Sequence, residues 1–161
     1  MTHYMQLLAD NQPWNLLLFM AVPVVLAETV AITELFVLYY RAQSGVLVSL
    51  NRLASILGGM YFTVVFVYLI KTAAIPLTQT AQWRGPVDVI AVGFYLAGVV
   101  PLVSMALLDL RWLGAGWADE RRIWWHAVCV AAFLVVAHVA MIFGMLDPTI
   151  FWQGQAGHSS H

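Results

Sequence analysis

Glu28, Glu34, Arg52 and His138 lie inside long apolar stretches of the 161-residue chain. An ionisable side chain in such a stretch is expensive in lipid, so it either pairs internally or takes part in chemistry. Glu28 lies near the middle of its stretch with no cation at matching depth, and an ionised, unpaired carboxylate there would cost on the order of several kcal/mol. Two readings follow. Glu28 is a neutral acid bonded to the backbone that Pro23 frees near Phe19, or it orients the imidazole of His138, which falls within a few ångström of the same depth at ~1.5 Å rise per residue. The same arithmetic puts Glu34 and Arg52 at one level, ~10 Å to one side of the bilayer centre. They are expected to meet as an ion pair between adjacent helices, with Asn51 and the Ser55 hydroxyl completing its hydrogen bonds. Alternatively Arg52 serves as a counter-charge for a propionate or as part of a proton path with Glu28 and Glu34.

His126 and His138 are twelve residues apart on one stretch, ~18 Å axially and ~120° around a helix, so they do not share one metal. His126, beside Trp124 and Trp125, reads as a wetted interfacial histidine; His138, between Ala137 and Val139, has no such excuse. His138, Met141 and Met145 form one helical stripe at i, i+3 and i+7. Imidazole with thioether suits haem iron or Cu(I). Met60 has nearly the depth of His138 and Met105 nearly that of His126, so two His/Met sites are open geometrically. The same methionines serve equally well as apolar filler.

These side chains need membrane helices to position them. The composition is 62% hydrophobic and 9% charged, against roughly 45–50% and 25% in soluble domains. Lipid is the expected solvent. The balance of 7 Lys and Arg against 8 Asp and Glu supplies neither the basic field of a nucleic-acid binder nor the charge of a disordered chain. About 20 apolar residues cross a bilayer core, and four stretches qualify: about 14–40, 46–70, 88–110 and 123–146. The expectation is an all-α integral membrane protein, a four-transmembrane-helix up-down bundle in one membrane domain, with 72–85 as an outer loop and 153–161 as a flexible tail.

Arg41, Arg52, Arg111, Arg121 and Arg122 fall on one side of this layout and Lys71 and Arg84 on the other. The positive-inside rule then puts both termini on the non-cytoplasmic side. His3, His158 and His161 would share that side. All seven tryptophans fall near span ends, as an interfacial belt. Met1 to Asn15 holds no Lys or Arg and has Asp10, so the first apolar run is expected to stay in the mature protein. Cys129 is the single cysteine and allows no internal disulfide or zinc spacing. Small residues mark expected packing faces: Arg52, Ser55, Gly59 and Thr63 on the second span, Gly93, Ala97 and Pro101 on the third. Gly58 and Gly59 leave a notch for a flat ring, and Pro23 and Pro101 permit kinks that open a cavity. No hydrolase triad or phosphate-cradling glycine loop occurs.

In span count, in an arginine followed by glycines on the second span (Arg52, Gly58, Gly59), and in its intramembrane histidines, the chain resembles the small four-helix inner-membrane haem proteins of bacteria. The resemblance implies haem b, with copper or no cofactor as alternatives, and electron exchange with the quinone pool. His138 would be an axial ligand, Met60 or the His138 of a second copy the opposite one, Glu28 the orienting carboxylate and Arg52 the propionate partner; His126 would serve a second centre. The first three spans carry no histidine, which departs from that pattern. The string from Ala27 to Glu34 is similar to acidic helices of cation carriers. That likeness implies a proton-coupled cation or metal permease, as a homodimer, with a path through Glu28, Glu34 and His138 and metal capture by His3, His158, His161, Met141 and Met145. A third expectation is an accessory subunit of a larger membrane complex. In each case the location is an inner membrane.

Overall fold

The computed structural model describes residues 2–41 and 45–147. His158, His161, Trp152 and the 153–161 tail lie outside the described residues. A short helix α1 (His3–Ala9) precedes four long ones: α2 (Trp14–Tyr40), α3 (Val46–Gln79), α4 (Pro86–Asp109) and α5 (Asp119–Met145). Among the described residues there is no strand, and each of α2 to α5 is long and apolar enough to cross a membrane. Most of their large apolar side chains point outward, as a lipid solvent requires, among them Leu35, Val64, Val100 and Ile142.

The core follows from which residues are small or flat. Asn51, Ser55, Gly58, Phe62, Val65 and Leu69 form the buried stripe of α3. Gly59 is the point of closest approach, since a Cβ there would sit 2.6 Å from Ala106 Cβ and 2.8 Å from the Leu102 carbonyl oxygen of α4. Ala27, Val30, Ala54, Phe62, Leu102, Met105, Val130 and Phe133 fill the centre. The expected packing faces need correcting. On α3, Ser55 and Gly59 are buried but Arg52 and Thr63 are exposed; on α4, Gly93 is exposed with nothing within 4 Å of a built Cβ, and Ala97 is exposed too.

Prolines shape the ends. Wide π turns occupy Leu17–Ala21 and Ile70–Ala74, and each is followed within two residues by a proline, Pro23 and Pro76. The wide turn accommodates the proline ring and its missing N–H without ending the helix. The helix of the second span therefore continues to Gln79, and only 80–85 remains of the loop expected over 72–85. The carbonyls loosened in the first π turn are capped by tyrosines: Tyr61 donates its hydroxyl to Leu18 O at 2.9 Å and Tyr95 to Phe19 O at 2.6 Å. Glu28 is not the group that satisfies them. The third span bends at Gly98, between helical halves Pro86–Ala97 and Val99–Asp109, just before Pro101.

α1 lies as a strap across the bundle end that carries the 80–85 loop. Thr2 donates to Gly144 O at 2.6 Å, and the ring of Tyr4 fits against Gly144, where any Cβ would be 2.8 Å away. Asp88, fully buried in the first turn of α4, accepts from the His3 backbone N–H at 2.7 Å and faces the His3 imidazole at 2.5 Å. Gln6 and Arg84 bond side chain to side chain nearby.

Candidate functional site

Two groups of polar residues lie within the spans, at different depths. The first is at the end of the bundle where α2 leads to α3 and α4 to α5. About two turns into α5, His126 is 4% exposed, with its Nδ1 2.9 Å from Glu34 Oε2 and its Nε2 3.2 Å from Asp109 Oδ2. Ser55 Oγ is 3.4 Å from the same Nε2. Asn51 fixes the carboxylate, its Nδ2 donating to Glu34 Oε2 at 3.0 Å, Thr33 Oγ1 at 3.0 Å and Val30 O at 3.2 Å. All four long helices meet in this cluster.

The proton count is the interesting feature. A neutral imidazole has one N–H and can donate to one carboxylate only; the other would then face a nitrogen lone pair. Two acidic neighbours therefore require either an imidazolium or a protonated carboxyl. The Nδ1 contact with Glu34 is close but too bent for a well-directed hydrogen bond, so that buried nitrogen lacks an aligned partner. The three groups together therefore need one proton more than a neutral imidazole carries. Asp109, the last residue of α4, has the most exposed side chain of the three and connects the cluster to the membrane face.

This arrangement corrects two expectations. Glu34 pairs with His126 and not with Arg52, which is exposed and has no ion pair among the described residues. The depth estimate held but the direction did not: adjacent residues on a helix point ~100° apart, so with Asn51 turned inward Arg52 faces outward. His126 is buried, not wetted at the interface, because two carboxylates replace the water. Asp109 was missed as a span boundary; its type and its position within reach of a histidine one loop later were the available signal.

The second group lines a cavity of about 230 Å³ bounded by α1, α2, α4 and α5, with Phe62 of α3 among its lining residues. Glu28 and His138 both line it, but Glu28 does not orient the imidazole as expected, because the main chain of α5 does so instead. His138 Nδ1 is 2.6 Å from Leu134 O. A carbonyl only accepts, so Nδ1 carries a proton, and Nε2 has no hydrogen-bond partner among the described residues. Glu28 makes no hydrogen bond or ion pair among the described residues. Tyr4 closes one end; burial pushes its phenol up to about 12, so it contributes an uncharged ring.

The remaining candidate ligands separate. Met141 lines the cavity with His138, but Met145 does not and is 65% exposed. Met60 is 62% exposed on the outer face of α3 and is not brought to His138. Met105 is core, and both nitrogens of His126 face carboxylates, leaving neither for iron. An axial His138/Met60 pair within one copy is therefore not formed. Among the described residues no three His, Cys, Asp or Glu could hold one metal ion, since Glu34 and Asp109 take the two different nitrogens of His126.

With the bundle and both polar groups in place, comparison with known families gives one match, over residues 1–160. The chain belongs to the family of unknown function DUF6803. No curated protein and no solved structure matches it. For this DUF6803 chain the chemistry of the two sites is the guide to function.

Proposed function

We propose that the protein is a proton-coupled cation carrier of a bacterial-type inner membrane, working as a homodimer, with His126, Glu34 and Asp109 as its proton-binding site. The observation that carries this is the imidazole held between two carboxylates inside a bundle of membrane helices. Such a site in lipid is costly unless it is used, and proton relays are its common use. Asp109 gives the cluster an opening to one membrane face, and five arginines near that face favour the cytoplasmic side. Four spans are few for alternating access, which favours two copies.

The test is reconstitution of the full chain into liposomes holding a pH-sensitive dye. An imposed pH gradient is expected to collapse faster than in empty liposomes, and Glu34→Gln and Asp109→Asn, which keep shape and hydrogen-bonding atoms, are expected to slow it toward the empty rate. Collapse at the wild-type rate in both variants, each shown folded by circular dichroism, would overturn the reading.

A further inference from the structure

The cavity between α2, α4 and α5 has a composition that specifies its ligand. Its walls are aromatic: Phe19, Phe62, Phe94, Tyr95 and Phe133 present rings to it. Its polar side chains are Glu28 on α2, His138 on α5 and the phenols of Tyr4 and Tyr95, the last of which donates its hydroxyl to Phe19 O. Glu28 and His138 are surface-exposed at mid-span, so the mouth opens sideways toward hydrocarbon and not toward either aqueous face. A ligand enters from the bilayer and is apolar over most of its surface.

The polar groups narrow the choice further. Leu134 O holds a proton on His138 Nδ1, so Nε2 of the neutral imidazole accepts. A carboxylate accepts at both oxygens. Every polar atom offered by these two residues is therefore an acceptor once Glu28 is ionised, and no cation from the chain is paired with Glu28. Aromatic faces add attraction for positive charge. Acceptors, one negative charge and a ring-lined wall together complement a cation that has N–H donors and an apolar body.

We infer that this cavity is a binding site for a lipophilic amine, which reaches Glu28 and His138 from within the bilayer and is held there in its protonated form. The inference rests on the proton-coupled carrier reading above and names its substrate class. The charge of Glu28 must be matched in an apolar setting, by a proton or by the ammonium group. The amine crosses hydrocarbon as the neutral base and takes the carboxyl proton of Glu28, and the ammonium so formed bonds through its N–H groups to the carboxylate and to His138 Nε2. No other bond changes. The titratable groups facing the ligand are Glu28 from α2, Tyr95 from α4, His138 from α5 and Tyr4 from α1. The volume, about 230 Å³, is below the roughly 300–1,000 Å³ of drug-sized sites, so the occupant is a small amine such as a phenylalkylamine.

The experiment is calorimetric titration of the full chain in nanodiscs with phenylbutylamine, its trimethylammonium analogue and the uncharged phenylbutanol. The amine is expected to bind at one site per chain, with Glu28→Gln and His138→Ala each weakening it roughly tenfold or more. The trimethylammonium analogue, lacking N–H donors, is expected to bind more weakly than the amine, and the alcohol more weakly still. Unchanged affinity in folded Glu28→Gln, or an alcohol binding as tightly as the amine, would overturn the inference. Because Glu28 makes no internal bond, Glu28→Gln is expected to keep the wild-type unfolding midpoint, which separates lost binding from lost structure. Amine binding in Asp109→Asn and gradient collapse by Glu34→Gln are read separately, so failure of the amine site leaves the proton site standing, and the reverse.

Discussion

Replacing His126 by Leu removes the one positive or proton-donating group from between Glu34 and Asp109. At an effective dielectric of ~20, unit charges at the observed 2.9 Å and 3.2 Å attract by roughly 5–6 kcal/mol each. Desolvation of the three groups consumes most of that, and Asp109, at 17% side-chain exposure, recovers part of its loss from water. Glu34, at 8%, does not. The net expectation is a loss of about 3–5 kcal/mol, the range for breaking a buried pair from one side. The second arm of a double-mutant cycle is Glu34→Gln, which keeps an oxygen for Asn51 and removes the charge. In the His126→Leu background Glu34→Gln should recover part of the loss, with a coupling of about 1–3 kcal/mol. Reversible unfolding in mixed micelles, followed by circular dichroism, measures all four corners. Additive losses, with no recovery in the double variant, would refute the view that His126 and Glu34 act as one unit.

Other consequences are tested more simply. Gly59→Val should part α3 from α4 at Leu102 and Ala106 and lower stability by about 1–3 kcal/mol, whereas Gly93→Ala, with open space around its Cβ, should be neutral or gain up to about 1 kcal/mol in the same unfolding assay. Tyr95→Phe strips the cap from Phe19 O and should cost about 0.5–3 kcal/mol, with faster amide exchange at the N-terminal end of α2. His3→Ala leaves the fully buried Asp88 with backbone donors only, so α1 should lose protection from hydrogen exchange while α3 keeps its own.

The spans were legible because lipid imposes one simple rule, continuous apolar length, and α2 to α5 obey it. Depth was legible too, since helix rise is constant; Glu28 and His138 line one cavity, although the carboxylate does not orient the ring. Direction around the axis was not. An Asn51-Arg52 pair offers two residues that could face inward, and only the acceptors on α2 (Val30 O, Thr33 and Glu34) decide for the amide. Asp109 was hidden for a related reason: a carboxylate at a helix end reads as the start of water unless its neighbour across the loop is known. The helix through Thr72 to Gln79 was obscured by Pro76, whose breaking effect the π turn at Ile70–Ala74 absorbs.

Both π turns fall at the end of the bundle that carries α1, opposite the His126 cluster. One end is thus joined by polar side-chain contacts among four helices. The other has helices with a surplus residue in one turn, two tyrosine hydroxyls holding stray carbonyls and a strap latched through His3 and Asp88. The first span thus meets its neighbours through main-chain carbonyls at the strap end and through side-chain carboxyl and amide groups at the other, so substitutions on α2 can reach only the second set of bonds directly.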